Sequence, residues 1–283
     1  MGILNVTPDS FSGDGTMRKG TDWISASVDA ALRMEDNGAD IIDIGGESTR
    51  PASVYPDARP VPADEELERV LPVISAFRQR SDIPISIDTR KSEVADVALS
   101  EGASMANDVS MLSDPDMAMR VAKHNAPIVI SHIRAKAQYN DVIADITTEL
   151  GNAVSSALRY GVAESRIIVD PGIGFAKNAS HSLEALRHLD SIKTNLGNLP
   201  VLIGASRKSF IGAILDAEPD DRVEGNAAST ALAIASGADI LRVHEVREMA
   251  RVAKVADAIV RGWEPGYQGS QSERVRRAVE RQT

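Results

Sequence analysis

The sequence predicts a single-domain α/β protein with a TIM (β/α)8 barrel, and three observations support this fold class. Eight short apolar segments alternate with stretches whose apolar residues recur at helical spacing, which is the pattern of βα units. Three predicted helices end in Gly-Ala-Asp or Gly-Ala-Ser, at Gly38, Gly102 and Gly237, immediately before an apolar segment. Glycine permits the left-handed turn that leads a helix back to a strand. No linker divides the chain, and eight units favour a closed barrel over an open sheet.

The eight apolar segments are the predicted strands, at residues 1–5, 41–45, 84–88, 104–108, 127–131, 166–170, 200–204 and 240–244. In the first predicted helix Thr21 is a candidate N-cap, and the apolar face comprises Ile24, Val28, Ala31 and Leu32. The second and third helices repeat this period through Leu67, Val70, Leu71 and Ile74, and through Val94, Val97 and Ala98. We expect the barrel to occupy residues 1–264. Residues 265–283 are polar and charged, and we predict a surface helix or a frayed end without a functional role.

Composition and charge exclude several classes of function. The formal net charge of −10 argues against a nucleic-acid-binding protein, which needs a basic face. The chain contains no cysteine, which excludes disulfides, thiolate metal sites and cysteine nucleophiles. No apolar run is long enough to span a bilayer, and the N-terminus lacks a signal-peptide pattern. We therefore expect a cytoplasmic protein with no membrane or nucleic-acid partner.

A polar residue stands at or just after the C-terminal end of every predicted strand. In a barrel these ends surround one mouth, where enzymes of this fold build their active sites. A single Asp or Asn after a strand is more often a helix cap or a turn residue, so the informative feature is the complete ring. Its members are Asn5, Asp43, Asp88, Asn107 with Asp108, His132, Asp170, Ser206 with Lys208, and Arg242 with His244.

Three members of this ring match a flat heterocycle. Asp88, Asn107 and Asp170 would offer carboxylate and amide groups to a deep pocket. Such groups complement the adjacent N–H donors and carbonyl acceptors of a pterin or guanine edge. The sequence therefore indicates a pocket for an aminopyrimidinone ring.

Other residues match an anion and a metal ion. Arg50, Arg242 and His244 are donors suited to a phosphate or pyrophosphate, although a salt-bridged strand end is an equally good interpretation of Arg242 and His244 alone. The amide oxygen of Asn5 could ligate Mg²⁺, which takes few protein ligands and keeps its waters. For His132, local packing is the favoured interpretation. The chain contains neither a Walker A sequence nor a dinucleotide fingerprint.

Seven segments occur in order over nearly the whole chain. They read GILNVTPDSFS from Gly2, GGESTRP from Gly45, SIDT from Ser86, ND at Asn107, DPGIGF from Asp170, GASRKS from Gly204 and RVH from Arg242. Together they resemble the successive motifs of the dihydropteroate synthases. The resemblance implies a transferase that condenses 6-hydroxymethyl-7,8-dihydropterin pyrophosphate with p-aminobenzoate in folate biosynthesis, uses Mg²⁺ and forms a homodimer. Members of this family begin several residues before the first strand, so we also expect residues to precede Met1.

The resemblance also implies residue roles. It assigns the pterin to Asp88, Asn107, Asp170 and Lys208, and the pyrophosphate to Asn5, Arg50, Arg242 and His244. It assigns Mg²⁺ to Asn5, the p-aminobenzoate pocket to Thr49, Pro51, Phe175 and Ser206, and a loop that folds over the site to Phe11. The residues expected to act in catalysis are Asn5, Asp88, Lys208, Arg242 and His244.

Two alternatives stay open on the sequence. A pterin-dependent methyltransferase barrel uses a similar Asp, Asn and Asp pocket, but it is not expected to combine Glu47–Pro51 with the Ser-Arg-Lys motif at Ser206. A non-catalytic pterin-binding paralogue has no need for the anion-binding and metal-binding residues that this chain keeps. Fold alone does not distinguish these functions.

Overall fold

A computed structural model of the chain describes residues 1–8, 15–17, 22–47 and 61–263. The strands are β1 (Gly2–Pro8), β2 (Gly15–Met17), β3 (Ile42–Gly45), β4 (Ile85–Asp88), β5 (Met105–Asp108), β6 (Ile128–Ser131), β7 (Ile167–Asp170), β8 (Leu202–Ile203) and β9 (Ile240–Leu241). The helices are α1 (Trp23–Asp36), α2 (Ala63–Arg78), α3 (Ser92–Ser100), α4 (Met117–Lys123), α5 (Val142–Arg159), α6 (Ala179–Arg187), α7 (Leu189–Asn195), α8 (Ser209–Leu215), α9 (Val223–Ala235) and α10 (Val246–Arg261).

Eight parallel strands close into a barrel. β1 and β3 to β7 pair in sequence order, and β8 pairs with β9. The Val169 N–H donates to the Pro200 carbonyl at 2.9 Å, which joins β7 to the start of β8. The Val243 N–H donates to the Met1 carbonyl at 3.0 Å, and the Ile3 N–H donates to the Val243 carbonyl at 3.1 Å, which joins β9 to β1. The predicted fold class and the eight predicted strands are confirmed, with differences of a few residues at strand ends.

One strand was not predicted. β2 pairs in parallel with the outer part of β1, with Asn5 opposite Gly15 and Pro8 opposite Met17. Its three residues are too few to show an alternating apolar pattern. β2 therefore extends the sheet at the barrel mouth without being one of the eight barrel strands.

The helices cover the outside of the barrel with their apolar faces inward. Asp22 is the N-cap of α1 and accepts the Ser25 N–H at 3.1 Å, so the choice of Thr21 was wrong; Thr21 itself lies outside the described residues. Val28 and Ala31 are buried, as the helical period predicts. Gly38 follows α1 with a φ of +97°, which confirms its role in turning the chain back.

Side chains alternate between the inside and the outside of the barrel along each strand, and the inward-facing ones form two layers. The lower layer is apolar, and it comprises Met105, Val129 and Leu202 with Met1, Ile41, Ile168 and Ile240 packed against them. Two residues further along four of these strands, the same inward face presents Asp43, Asn107, Ser131 and Asp170. The apolar layer therefore closes the barrel beneath a polar mouth.

Within the part of the chain that the structure describes, no helix combines the length and the apolar character needed to cross a bilayer. The predicted tail at residues 265–283 lies outside the described residues, so its expected conformation stays a prediction.

Candidate active site

The Arg242 guanidinium lies between two carboxylates at the barrel mouth. Its Nε donates to Asp43 Oδ2 at 2.6 Å, and its Nη2 donates to Asp88 Oδ2 at 2.6 Å. Asn107 Nδ2 also donates to Asp43 Oδ2, at 3.2 Å. Side chains from β3, β4, β5 and the end of β9 thus form one hydrogen-bonded group, which brings together Asp88, Asn107 and Arg242.

Three buried oxygens of this group have no hydrogen-bond partner among the described residues: Asp43 Oδ1, Asp88 Oδ1 and Asn107 Oδ1. A buried acceptor without a partner costs about 1–3 kcal/mol, so such oxygens mark a place where a ligand supplies donors. Burial raises the pKa of Asp88 to about 7, and Arg242 opposes this shift. Burial also disfavours the charge on Arg242, but Asp43 and Asp88 outweigh this effect and raise the pKa of Arg242 above its ordinary value.

Asp170 provides another buried carboxylate at the end of β7. Its Oδ1 accepts the Gly172 N–H at 2.7 Å, and its Oδ2 accepts from Ser131 Oγ at 3.2 Å. Burial raises the pKa of Asp170, while the bond from Gly172 and the charge of Lys208 lower it. Gly172 has a φ of +69°, and a Cβ there would lie 2.0 Å from the His132 carbonyl oxygen. Only glycine fits this turn.

Lys208, the residue before α8, lies against Phe175. Lys208 Nζ is 4.0 Å from the centroid of the Phe175 ring, within the range of a cation–π contact. The absence of a side chain at Gly174 allows this approach, since a Cβ there would lie 3.0 Å from Lys208 Cδ. The structure therefore brings Asp170, Phe175 and Lys208 to one side of the mouth.

Ser206 and His244 form a neighbouring pair. Ser206 Oγ is 2.9 Å from His244 Nδ1 and 3.2 Å from Glu245 Oε2. The other carboxylate oxygen of Glu245 accepts from Arg207 Nε at 2.5 Å. The hydroxyl of Ser206 is thus engaged in orienting His244, and its expected contact with p-aminobenzoate stays a prediction.

Asn5 lies half-buried in β1, opposite Gly45 on β3, and its carbonyl accepts from Thr16 Oγ1 at 3.2 Å. In the described residues no three His, Cys, Asp or Glu side chains are arranged to hold a metal ion. Four predicted site residues lie outside the described ranges, so the structure places none of them: Phe11, Thr49, Arg50 and Pro51.

Sequence reasoning missed two groups of side chains. Asp43 was recognised as a strand end, but its ion pair with Arg242 was not, because the two residues are 199 positions apart. Lys91 Nζ contacts the carboxylates of both Glu47 and Glu66, and Glu66 is fully buried. Glu47 Oε1 also accepts the Val61 N–H at 3.4 Å, so Glu47 links the two described ends of segment 48–60. No local motif signals contacts of this range.

The chain matches the family model of pterin binding enzymes over residues 1–244. It is 47% identical over 261 residues to a dihydropteroate synthase of Bacillus subtilis, covering 92% of this chain and 88% of the relative. A solved structure of the Clostridium difficile dihydropteroate synthase in the presence of pteroic acid is 44% identical, with a TM-score of 0.85 and coverage of 92% of this chain and 95% of that one. The Xanthomonas albilineans dihydropteroate synthase with 4-aminobenzoic acid is 41% identical, with a TM-score of 0.83 and coverage of 91% of each chain.

These similarities cover the barrel strands and the polar residues at their ends, and they agree with the resemblance drawn from the seven motifs. The chain therefore belongs to the pterin-binding enzyme family and, within it, to the dihydropteroate synthases, which are transferases.

Proposed function

We propose that the chain condenses 6-hydroxymethyl-7,8-dihydropterin pyrophosphate with p-aminobenzoate to give 7,8-dihydropteroate and pyrophosphate. The observation that carries this proposal is the set of unpartnered buried oxygens on Asp43, Asp88 and Asn107 above a closed apolar layer. A pterin edge has several adjacent N–H donors in one plane, which can satisfy such acceptors together.

The pterin ring would lie between two sides of the mouth. Asp88 and Asn107 would accept hydrogen bonds from it on one side, and Asp170 on the other. Lys208, which lies beside Asp170, would donate to a ring acceptor. An ammonium and carboxylates placed around one ring fix its orientation as well as its affinity.

The pyrophosphate would bind at the rim. Arg50, Arg242 and His244 are the expected donors. Arg242 is already oriented by Asp43 and Asp88, and His244 by Ser206, so these two donors need little reorganisation to meet an anion. Arg242 stays protonated because its carboxylate neighbours raise its pKa.

Mg²⁺ fits the donors at the rim only together with the substrate. Asn5 offers one amide oxygen, and the described residues contain no cluster of acidic or histidine ligands. Mg²⁺ takes few protein ligands, so the amide oxygen of Asn5 would be enough to hold it beside the substrate. When bound, Mg²⁺ neutralises negative charge on the leaving pyrophosphate.

The chemistry requires stabilisation of charge more than a general base. The C–O bond between the pterin methylene and the pyrophosphate breaks, and its electron pair leaves with the pyrophosphate. The ring nitrogens donate electron density to the methylene carbon, and the Asp88 carboxylate favours the resulting positive charge. The neutral amine of p-aminobenzoate forms the new C–N bond and then loses a proton to water. This route needs no activated serine, cysteine or histidine.

The second substrate would bind over the pterin, against Phe175 and Ser206 and against Thr49 and Pro51 of the second loop. Phe175 offers an aromatic face held by Lys208. Phe11 belongs to the loop expected to fold over the site.

Pyrophosphate release is the direct test of this function. We expect release from the pterin pyrophosphate to require both p-aminobenzoate and Mg²⁺, and to yield dihydropteroate in equal amount. Binding of the pterin pyrophosphate without release would indicate a non-catalytic paralogue. Binding of methyltetrahydrofolate without any binding of p-aminobenzoate would indicate a methyltransferase barrel.

We further propose that the protein is a cytoplasmic homodimer. Exposed apolar side chains concentrate on α8, α9 and α10 and just after them: Ile214, Leu215, Leu232, Val255, Ile259, Val260 and Trp263. α9 packs against both α8 and α10, so these residues lie on adjacent helices. Exposed apolar side chains are unfavourable in water, and burial against a second copy would remove this cost.

A further inference from the structure

Lys177 is a buried lysine that the proposed mechanism does not use. It lies at the end of the turn that follows β7, and only 5% of its surface is exposed. Its Nζ donates to His132 Nδ1 at 2.8 Å and to the Phe175 carbonyl at 3.3 Å. Among the described residues no carboxylate lies within ion-pair distance of this nitrogen. Burial accordingly lowers the pKa of Lys177 to about 7, against the attraction of Asp170. Burying a lysine without an ion-pair partner is unfavourable, so a role that depends on its position would account for it.

The contacts of His132 fix the direction of the bond from Lys177. His132 Nε2 is 3.0 Å from Glu149 Oε2, and Arg134 Nε donates to both oxygens of Glu149 at 3.0 and 3.1 Å. A carboxylate held in this way accepts, so Nε2 carries the hydrogen and Nδ1 offers the lone pair that Lys177 uses. Burial, with Lys177 adding to it, lowers the pKa of His132 to about 4, which keeps the ring neutral. Lys177 therefore donates in two directions, to the Phe175 carbonyl on one side and to His132 on the other, and His132 in turn donates to Glu149.

The turn held by these hydrogen bonds is strained. Gly172, Gly174 and Ala176 have φ values of +69°, +78° and +46°, and Ala176 has no glycine freedom to lower the cost. Tyr139 donates from its hydroxyl to the Ala176 carbonyl at 3.2 Å, and the His132 N–H donates to the Asp170 carbonyl at 2.8 Å. A strained turn persists only when its surroundings over-determine it. Lys177 supplies the bond to the carbonyl of Phe175 itself.

Phe175 is the point at which this turn reaches the substrates. Its ring lies 4.0 Å from Lys208 Nζ. The Phe175 backbone is held by Lys177 from one side, and its N–H donates to the Gly172 carbonyl at 3.0 Å. A small rotation of this backbone would move the ring away from Lys208 and from the place proposed for p-aminobenzoate.

We propose that Lys177, oriented by His132 and Glu149, is a positioning residue that holds the Phe175 ring against Lys208 and thereby sets the affinity for p-aminobenzoate. This inference rests on the proposed function. A positioning role differs from a purely structural role because its loss should weaken the binding of one substrate only, p-aminobenzoate. A structural role would lower stability, or would affect both substrates alike.

The test compares Lys177→Met with Lys136→Met, a matched change at an exposed lysine. Methionine keeps most of the volume of lysine but donates no hydrogen bond. We expect Lys177→Met to raise KM for p-aminobenzoate by about tenfold, the effect of losing one ordering hydrogen bond. KM for the pterin pyrophosphate and kcat should stay within about twofold of wild type. In ¹⁵N-edited NMR spectra, the His132 Nδ1 resonance should shift because Nδ1 loses the hydrogen bond from Lys177, whereas the Nε2–H tautomer should stay because Glu149 still accepts from Nε2.

The following results would contradict the proposal. An unchanged KM for p-aminobenzoate, an equal rise for both substrates, or an unchanged His132 Nδ1 resonance would refute the role of Lys177. If Lys177→Met does not fold, Glu149→Gln at a half-buried position decides. It should raise KM for p-aminobenzoate by about threefold through looser orientation of His132, and no change would refute the role. Lack of turnover in both wild type and Lys136→Met would refute the proposed function, and the inference with it.

Discussion

Arg242 and Asp43 form an ion pair at 2.6 Å that joins the end of the last barrel strand to the second. Asp43 is fully buried and Arg242 is 20% exposed, so the pair is largely shielded from water. Asp88 shares the same guanidinium at 2.6 Å, and Asn107 shares the same oxygen of Asp43. The orientation of Arg242 therefore depends on a residue to which the motifs of the sequence assigned no role.

Asp43→Asn should reduce both stability and activity. We expect a loss of about 2 kcal/mol in the free energy of unfolding, less than the roughly 3–5 kcal/mol typical for one partner of a buried pair, because Arg242 keeps Asp88. Without Asp43 the guanidinium can turn fully toward Asp88, so kcat/KM for the pterin pyrophosphate should fall by roughly tenfold or more. Urea unfolding and steady-state kinetics measure the two effects.

The surface pair Arg80–Asp29 provides the control, since about half of each side chain is exposed. Asp29→Asn should change stability by less than about 0.5 kcal/mol and leave kinetics unchanged. Equal effects of the two substitutions would contradict a special role for Asp43.

Gly172→Ala should be among the most damaging single-methyl changes in the protein. The added Cβ would meet the His132 carbonyl oxygen at 2.0 Å, and the residue would also be held at a φ of +69°. We expect a loss of about 3 kcal/mol or more in the free energy of unfolding, together with loss of activity as the turn shifts away from Asp170. Chemical denaturation followed by circular dichroism measures the change.

Gly197→Ala separates the clash from the backbone strain. Gly197 has a φ of +71°, but a Cβ there meets nothing within 4 Å. Its loss should be about 1 kcal/mol, with normal activity. Similar losses for the two variants would mean that backbone conformation alone, and not contact with His132, restricts Gly172.

Binding of the pterin should release a proton below about pH 7. In the free protein burial raises the pKa of Asp88 to about 7 from an ordinary value of 3.8, so the carboxyl is largely protonated at pH 6. N–H donors of the pterin favour the carboxylate and lower this pKa again. The affinity should therefore rise with pH up to about 7 and then level off. Isothermal titration in two buffers of different ionisation enthalpy counts the released protons. Buffer-independent enthalpies at pH 6 would show that Asp88 does not change its protonation.

The same pKa has a consequence for stability. The unfolded chain loses the Asp88 proton near the ordinary value of 3.8, whereas the folded chain keeps it until about pH 7. The contribution of this proton to stability is therefore fully present below pH 3.8 and is lost as the pH rises through 7. Asp88→Asn should flatten this part of the stability profile, as measured by thermal unfolding between pH 5 and pH 8.

Asn5→Ala tests the proposed metal contact. Asn5 is the one residue to which we assign the ion, so Asn5→Ala should raise the Mg²⁺ concentration for half-maximal turnover by roughly tenfold. Binding of a pterin that lacks the pyrophosphate should be unchanged, because that ligand does not carry the ion. Titration calorimetry with such a pterin provides this second measurement. Weaker binding there would place Asn5 in the ring pocket instead.

The spacing of apolar residues and the positions of turn glycines made the barrel predictable from the sequence. Apolar runs and the glycines at Gly38, Gly102 and Gly237 locate strands and turns because both signals are local. β2 was missed because three residues carry no period, and Thr21 was chosen as the cap although Asp22 accepts the hydrogen bond.

The site was predictable only as a ring of residue types. Contacts between members of the ring, such as that of Arg242 with Asp43, depend on strand register and on closure of the barrel. A short stretch of sequence does not determine either of these. Lys177 was missed for a related reason. It lies seven residues after the strand-end Asp170, and its partner His132 comes from another strand.

The apolar face of α8, α9 and α10 should bury itself against a second copy. Leu232 is 68% exposed and Ile259 79% exposed, on helices that pack side by side. Leu232→Glu would place a charge in the interface, whose desolvation is unfavourable, and should shift the protein from dimer to monomer at micromolar concentration. Leu158→Glu, at a 42% exposed position on α5, is the matched control and should leave the dimer intact. Light scattering coupled to size exclusion measures the mass of each variant. A wild-type mass equal to that of one chain would contradict the proposed homodimer, and an unchanged mass for Leu232→Glu would place the interface elsewhere.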